Sequence, residues 1–495
     1  MVDRVSIVKL DEVYLKIQAA PHILMECSDH FTFDVPGAKF MPAYKNRYWD
    51  GKIRLVNLAL GTLYIGLLEE LVTFLEKRDY EVTVDMELSQ TEFSVKEALD
   101  FIRTLDLPEN KTPRDYQVDS FVHCVRSGRL LLLSPTASGK SLIIYILMRY
   151  YLEVYEARTL IIVPTVSLVH QMNSDFADYY CPFMESIHKI YSGKEKLTDH
   201  PVTITTWQSI QNMDKKFFEG FDLIICDEAH GAKAKVLTKI MTSTTHARFK
   251  FGTTGTLDGV ETNEMVLRGL FGPIRNVTTS AELMEQGHIA ELKIKALVLK
   301  YSKSLATKIQ NMTYQEEIDY IVQIPERNNF IKNLALSLDG NVLILFNFKD
   351  KHGKVLHSII KEEAGPRKVY YIDGGVSGDE REHIRHIVMK ESNSLIVASF
   401  GTLSTGTNIP NLNYIIFASP SKSRIRNLQS IGRGLRLSEG KKDAVLFDIA
   451  DDFSGDNKKH NYTLLHFIER IKIYISEKFK YKIYRINLKV KEDGK

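Results

Sequence analysis

Eight consecutive residues, SPTASGKS at 134–141, carry the densest potential for chemistry in the sequence. Small residues let successive backbone N–H groups converge on phosphate oxygens, and a helix starting at the end of such a loop adds its partial positive charge. Here Ser134, Pro135, Thr136, Ala137, Ser138, Gly139, Lys140 and Ser141 lie between the apolar run LLLL (130–133) and the helix-like LIIYILMRYYLEVY (142–155). Lys140 would reach the β- and γ-phosphates of a nucleoside triphosphate, and the Ser141 hydroxyl would help to hold Mg²⁺. The spacing departs from GxxxxGK[ST] only at its first position, where Ser134 replaces glycine. Serine costs backbone freedom there but stays small, and it removes neither the lysine nor the hydroxyl.

A second cluster follows. LIICDEAH (223–230) sets Asp227 and Glu228 at the end of an apolar run, where an unpaired charge is costly without a metal or another partner. Asp227 is the candidate Mg²⁺-organising acid, and Glu228 the candidate base that orients or polarises an attacking water. Taken alone, the pair could also be an ordinary helix N-cap pair with His230 solvated, the lesser of the two readings. After a phosphate loop, in this order, it reads as the second half of a nucleotide-hydrolysing site. Cys226 is strand core, since no base or cation neighbours it in sequence. A third cluster, QSIGRGLR (429–436), places Arg433 and Arg436 three apart on one face of a helical turn. Both could project across a cleft towards a γ-phosphate; the plainer use is a solvated basic face.

Such clusters need elements to position them. From 111 to 290, apolar runs alternate with helical stretches: LLLL, LIIVPT (160–165), VTITT (202–206), LIICDE (223–228) and FKFGTTGT (249–256). Runs apolar throughout suit strands buried on both faces of a parallel sheet. From 291 to 452 a second series follows: VLILFNF (342–348), KVYYIDG (368–374), SLIVASF (394–400), YIIFASP (414–420) and AVLFDIAD (444–451). The class is α/β, with two consecutive parallel-sheet units. Residues 1–90 have the texture of a small α+β domain, 91–110 of a connector helix, and 453–495 of a basic helical extension, with Leu464, Ile468, Ile471, Ile475 and Phe479 at helical spacing.

The ordered set resembles a superfamily 2 helicase of the DEAH type. RDYQ (114–117), SPTASGKS, VPTVSLVHQ (163–171), DEAH, TTGT (253–256), FGTLSTGTNIP (400–410) and QSIGRGLR stand where that superfamily has its Q element and motifs I, Ia, II, III, V and VI. Within it, YWDGKIRLVN (48–57), RYYLEVYEARTLIIVPT (149–165), ITTWQSI (204–210) and TYQEEI (313–318) resemble the UvsW family of phage helicases. The resemblance implies two tandem RecA-like motor domains, ATP and Mg²⁺ as cofactors, and 3′ to 5′ movement. It also implies unwinding and branch migration of branched DNA, including Holliday junctions, forks and R-loops, in recombination, repair and replication. By motif, Gln117 would read the adenine edge with Arg114 nearby, and Gln429 would lie at the interdomain nucleotide cleft. His230, Thr254, Gly255 and Thr256 would couple nucleotide state to movement. Thr165, Thr206, Thr405 and Gly406 would touch DNA; each threonine, taken singly, is as readily a turn or cap. Thr253-Thr254-Gly255-Thr256 stands where Ser-Ala-Thr is commoner.

Outside the motor, FMPAYKNRYWDGKIRLV (40–56) interleaves Lys45, Arg47, Lys52 and Arg54 with Tyr44, Tyr48 and Trp49. Cations with aromatics bind phosphate and stack on exposed bases, although a strand pair with inward aromatics and solvated charges fits as well. The resemblance favours duplex or junction binding. With 44% apolar and 26% charged residues the chain is globular. A net charge of +3 is too small to mark a nucleic-acid binder by itself, so basic surface must be local. Four scattered cysteines without a CxxC pair exclude a zinc module or disulfide framework. The charged start lacks the apolar core of a secretory signal, and no run is long enough to span a membrane. The expected protein is a monomer in the cytoplasm, that of the host if phage-encoded, with DNA and RNA–DNA hybrids as partners and no membrane. Two other readings fit the same clusters: a duplex translocase that does not separate strands, and a nucleotide-switched nucleic-acid clamp.

Overall fold

The computed structural model describes residues 4–191, 195–196, 199–231, 234–309, 311–376, 378–403, 411–420, 443–455 and 460–490. The chain divides into two compact units, Met1–Ser134 with Ser138–Thr278, and Thr279–Lys495 with Pro135–Ala137.

The first unit holds a seven-stranded sheet in the order Ile274–Asn276, Arg129–Leu133, Phe249–Thr254, Leu223–Cys226, Thr159–Val163, Val202–Thr206, Ile187–Ile190. Every neighbouring pair is parallel. The continuous apolar runs are its central strands; Thr159–Val163, for example, is buried at every residue. The two edge strands are short and half-polar, which is why their sequences, IRN and IHKI, carry no buried-strand signature. Beside the sheet lies helix Lys140–Tyr155, in which Leu142 through Tyr151 are all buried. Arg149 is tolerated there because its guanidinium donates to the Tyr145 hydroxyl at 2.7 Å and to Glu153 at 2.6 Å. All four cysteines are free and buried.

The amino-terminal part of this unit has a four-stranded sheet in the order Thr62–Tyr64, Tyr14–Gln18, Arg4–Lys9, Glu81–Val84, with helices Pro21–His30 and Leu68–Glu76, and a two-stranded ribbon, Thr32–Asp34 with Lys52–Arg54. It is tied firmly to the large sheet. Arg129 donates to Glu12 at 2.7 Å, and buried Lys250 donates to the carbonyls of Glu12 and Thr244, each at 2.9 Å. At Gly66 a Cβ would lie 2.2 Å from the Arg268 carbonyl oxygen, and at Gly269 a Cβ would meet the Tyr64 ring at 2.8 Å. Only glycine permits these close approaches. Helix Val95–Thr104 is closed by a Ser94/Glu97 capping box.

The second unit holds another seven-stranded parallel sheet, in the order Val369–Ile372, Leu395–Ser399, Val342–Phe346, Tyr414–Phe417, Asp443–Asp452, Glu291–Lys300, Lys480–Asn487. Its last strand corrects the expectation of a purely helical tail. The tail is helical over Tyr462–Ser476, and Leu464 and Phe467 pack on Ala296, Val298 and Ala450. Lys480–Asn487 then pairs with Glu291–Lys300 as an edge strand. Alternating lysines with Tyr481, Ile483 and Tyr484 suit an exposed edge, where charge guards unpaired backbone. A buried ion pair locks the tail helix to the sheet, Arg470 with Asp448 at 2.8 Å, and a second, Arg327 with Asp451 at 2.7 Å, ties helix Pro325–Leu336 to the same strand. Glu317, itself buried, accepts from the backbone N–H groups of Tyr462 and Thr463 at 2.9 and 2.7 Å, capping that helix from a distance.

Candidate nucleotide site and nucleic-acid surface

The phosphate-type loop leaves the sheet at Leu133 and turns into helix Lys140–Tyr155. Its left-handed residues are Ala137 (φ 67°) and Gly139 (φ 80°), not Ser134. Ser134 therefore does not need glycine's freedom. It is buried, its hydroxyl is 2.5 Å from that of Ser138, and its N–H donates to the Thr254 carbonyl at 2.8 Å. Gly139 is the constrained position, because a Cβ there would lie 2.3 Å from Gln117 Nε2.

Gln117 is buried and braces the loop. Its Nε2 donates to the carbonyls of Ser138 and Gly139 at 3.0 and 3.3 Å, while its Oε1 accepts from the Arg114 N–H at 2.8 Å. The side chain expected to read a base edge is thus committed to the loop backbone, and base reading requires exchange of these bonds. Tyr116, which its sequence context does not single out, adds a third brace: its hydroxyl donates to the Ser138 carbonyl at 3.0 Å and accepts from Arg114 Nη1 at 2.6 Å.

The two carboxylates stand at the end of strand Leu223–Cys226. Lys140 Nζ donates to Glu228 Oε1 at 2.7 Å, and the Gly255 N–H faces Oε2 at 3.4 Å. Asp227 accepts from the Thr253 hydroxyl at 2.5 Å and from the Glu228 N–H at 3.0 Å. Both of these bonds fall on Oδ1. Glu228 sits at φ 48°, a left-handed conformation unusual for a non-glycine residue and of the kind that collects at functional sites. Burial raises the Asp227 carboxyl above the usual carboxylate range, with Lys140 opposing. Burial pushes Glu228 the same way, but Lys140 and His230 outweigh it and hold Glu228 below its usual value.

His230 Nδ1 lies 2.5 Å from the Thr254 hydroxyl, which donates to the Thr256 carbonyl at 2.9 Å. The threonine's one proton is thereby used, so Nδ1 carries a hydrogen and donates to that hydroxyl. Strand Phe249–Thr254 thus joins the second cluster through Thr253 to Asp227 and through Thr254 to His230, and Gly255, the residue after it, reaches Glu228.

The donors available to a metal are hard oxygens, the Ser141 hydroxyl and the Asp227 carboxylate. Among the described residues no group of three or more His, Cys, Asp or Glu forms a metal cage. That combination fits Mg²⁺, which binds through one or two carboxylates together with phosphate oxygens and water. A buried carboxylate raised by desolvation is one that a divalent cation would stabilise in its charged form.

Gln429, Arg433, Arg436, Thr405 and Gly406 lie outside the described residues. Thr165 and Thr206 are helix N-caps, accepting from the N–H groups of Leu168 at 3.3 Å and Ser209 at 3.4 Å, and Thr206 is buried. The cap reading describes their side chains here. Trp207 packs against the core of the first unit rather than presenting a free ring.

The amino-terminal segment around 38–54 is different. Tyr48 is 86% exposed and Phe40 69%, with Met41 and Tyr44 also exposed, so the inward-packed alternative fails. Lys39, Lys45 and Arg47 flank them on the surface. Lys52 and Arg54 are less available, because they face Asp34 at 3.9 Å and Asp50 at 2.5 Å. Trp49 is held by its indole N–H to the Lys52 carbonyl at 2.8 Å. Phe40 and Met41 were legible only as ordinary apolar residues; nothing in their spacing marks them as exposed.

Residues 5–85 match the family described as DNA helicase UvsW, N-terminal, residues 110–259 the type III restriction enzyme res subunit, and residues 326–438 the helicase conserved C-terminal domain. The chain is 36% identical over 498 aligned residues to the ATP-dependent DNA helicase uvsW of Enterobacteria phage T4, covering 97% of this chain and 98% of that protein. The crystal structure of T4 UvsW superposes with a TM-score of 0.53 at 33% identity, covering 98% of this chain and 100% of that one. A putative HsdR subunit of a type I restriction enzyme from Vibrio vulnificus shares the fold, with a TM-score of 0.54 at 18% identity over 78% of this chain and 70% of that one. With two parallel seven-stranded sheets as tandem RecA-like domains and near-full-length identity above 30%, the chain belongs to the UvsW family of superfamily 2 helicases.

Proposed function

We propose that this protein is an ATP-hydrolysing DNA helicase that unwinds and branch-migrates branched DNA. One observation carries the nucleotide half of the reading: Lys140, Glu228, Asp227 and Thr253 are joined in one buried hydrogen-bonded set at the mouth of a phosphate loop. In this reading the loop N–H groups and Lys140 bind the phosphates, Ser141 and Asp227 hold Mg²⁺, and Glu228 takes a proton from the attacking water. Bound Mg²⁺ would supply charge neutralisation at the phosphate oxygens. Lys140 positions Glu228 before nucleotide arrives; on binding, the lysine would exchange its carboxylate partner for phosphate and release Glu228 towards water. The spacing of Arg433 and Arg436 supports a role in neutralising charge on the γ-phosphate, with Gln429 beside them.

The DNA half rests on the exposed amino-terminal segment. Lys45 and Arg47 would contact phosphates, and Tyr44 and Tyr48 would stack on bases unpaired at a branch point. Residues 1–90 act as the nucleic-acid-binding domain of this proposal, with Thr165 and Thr206 as contacts of the motor through backbone groups, their hydroxyls being helix caps, and Thr405 and Gly406 through hydroxyl or backbone groups, which position a strand without reading sequence. The substrates are junctions, forks and RNA–DNA hybrids; the protein acts as a monomer in the host cytoplasm. Among the described residues no helix is long and apolar enough to cross a membrane.

The test is hydrolysis of ATP without nucleic acid, then with single-stranded DNA, duplex and a four-way junction. Junction-stimulated hydrolysis that Glu228→Gln abolishes, with DNA binding retained, is the expected result. Hydrolysis by Glu228→Gln at the wild-type rate would refute the base assignment, and absence of hydrolysis on every substrate would favour a clamp.

A further inference from the structure

The hydroxyl of Ser141 meets one side chain that its motif does not anticipate. Tyr179 Oη lies 2.9 Å from Ser141 Oγ. Tyr179 caps helix Val166–Asp178, its N–H donating to the carbonyls of Asp175 and Phe176 at 3.0 and 3.2 Å. Its ring is buried, packs 5.3 Å from the Tyr145 ring, and lies 5.7 Å beneath Lys111 Nζ. The phenol is therefore held in place by the core and by a helix end, so the position of Oη does not depend on Ser141.

A serine hydroxyl has one proton and two lone pairs. As a metal ligand it must aim a lone pair at the cation, which requires its proton to have another acceptor. We infer that Tyr179 is a positioning residue for the metal site, accepting the Ser141 hydroxyl proton so that a lone pair of Oγ faces Mg²⁺. The inference rests on the nucleotide-hydrolysing reading above and adds to it a partner from outside the loop. A cation at Oγ makes that hydroxyl the better donor, so metal binding fixes the direction of a hydrogen bond that is otherwise free to run either way. Partners in the outer shell of a metal site commonly tune affinity 10–100-fold.

The experiment is equilibrium binding of a non-hydrolysable fluorescent ATP analogue to the full chain, in EDTA and in Mg²⁺. Its readout is the ratio of the two dissociation constants. Wild type should bind more tightly with Mg²⁺. Tyr179→Phe, which keeps the ring and its packing, should lower that enhancement about 10-fold while leaving affinity in EDTA unchanged. Ser141→Ala should abolish the enhancement, and Tyr179→Phe on the Ser141→Ala background should change nothing further. An unaltered ratio in Tyr179→Phe, an equal loss in EDTA and Mg²⁺, or a loss that adds to that of Ser141→Ala would each overturn the inference. If wild type bound no nucleotide in either condition, the hydrolase reading itself would fail, which is a distinct outcome.

Discussion

Removing Lys140 should unsettle the protein before any nucleotide is involved. Lys140 and Glu228 pair at 2.7 Å with side chains only 13% and 23% exposed, so Lys140→Ala strands a carboxylate beside Asp227, whose own carboxyl burial already raises. Breaking a fully buried pair by deleting one partner costs 3–5 kcal/mol, and with this residual exposure and the support of the Gly255 N–H about 2–3 kcal/mol is expected. At 2–4 °C per kcal/mol for a domain of this size, the first unit should melt about 5–10 °C lower. Lys140→Ala with Glu228→Gln removes the stranded charge and should recover all but about 1 kcal/mol, a coupling energy of at least about 1 kcal/mol in the double-mutant cycle. Hydrolysis should remain lost in both single variants and in the double variant, so stability and activity separate. Thermal unfolding of the four proteins without nucleotide reads the cycle. Additivity within about 0.5 kcal/mol would show that the two side chains do not depend on each other, and would refute the charge-pair reasoning.

Gly139→Ala should weaken ATP binding, since a left-handed alanine costs about 1–2 kcal/mol and its Cβ would displace Gln117 from the loop carbonyls; nucleotide affinity within a factor of two of wild type would contradict this. Lys45→Ala with Arg47→Ala should weaken junction binding and reduce the slope of log affinity against log salt by about 2, whereas Arg54→Ala alone, its partner being Asp50, should do less; equal effects would refute the distinction. Tyr48→Ala, at an 86% exposed position, should cost about 1–3 kcal/mol of binding to DNA with unpaired bases and leave melting unchanged. In the second unit His352 is buried, its Nδ1 lies 2.9 Å from the Ser419 hydroxyl, its Nε2 has no hydrogen-bond partner among the described residues, and burial holds it well below the usual histidine range. The unfolded chain therefore binds the proton first as pH falls below about 6.5, and stability should drop towards the folded value by up to about 1.4 kcal/mol per pH unit; His352→Asn should lose that share of the acid slope, and an identical slope would exclude His352 as its source.

The parallel sheets were legible because strands buried on both faces are apolar at every residue, as in LIIVP and VLILF, and a phosphate loop followed by DEAH fixes their order. Edge strands Ile187–Ile190 and Lys480–Asn487 were not legible, since a half-exposed strand alternates or carries charge. In the site, Lys140, Asp227 and Glu228 could be named from their types because catalysis restricts what may stand there. Tyr179 could not: it reaches Ser141 from 38 positions away, and a tyrosine at a helix end looks like core. Gln117 was visible in its motif, but its commitment to the Ser138 and Gly139 carbonyls is a fact of three-dimensional packing. The exposure of Phe40 and Met41 was equally hidden, because apolar residues near a proline normally read as the edge of a core.

The most direct test of the central claim follows a four-way junction with differently labelled strands, in real time, after addition of ATP or of a non-hydrolysable analogue. Arm separation with ATP at a rate that tracks hydrolysis, none with the analogue, and none with Glu228→Gln is the predicted result. Hydrolysis stimulated by the junction without any separation of its arms would contradict the account and make the protein a duplex translocase instead.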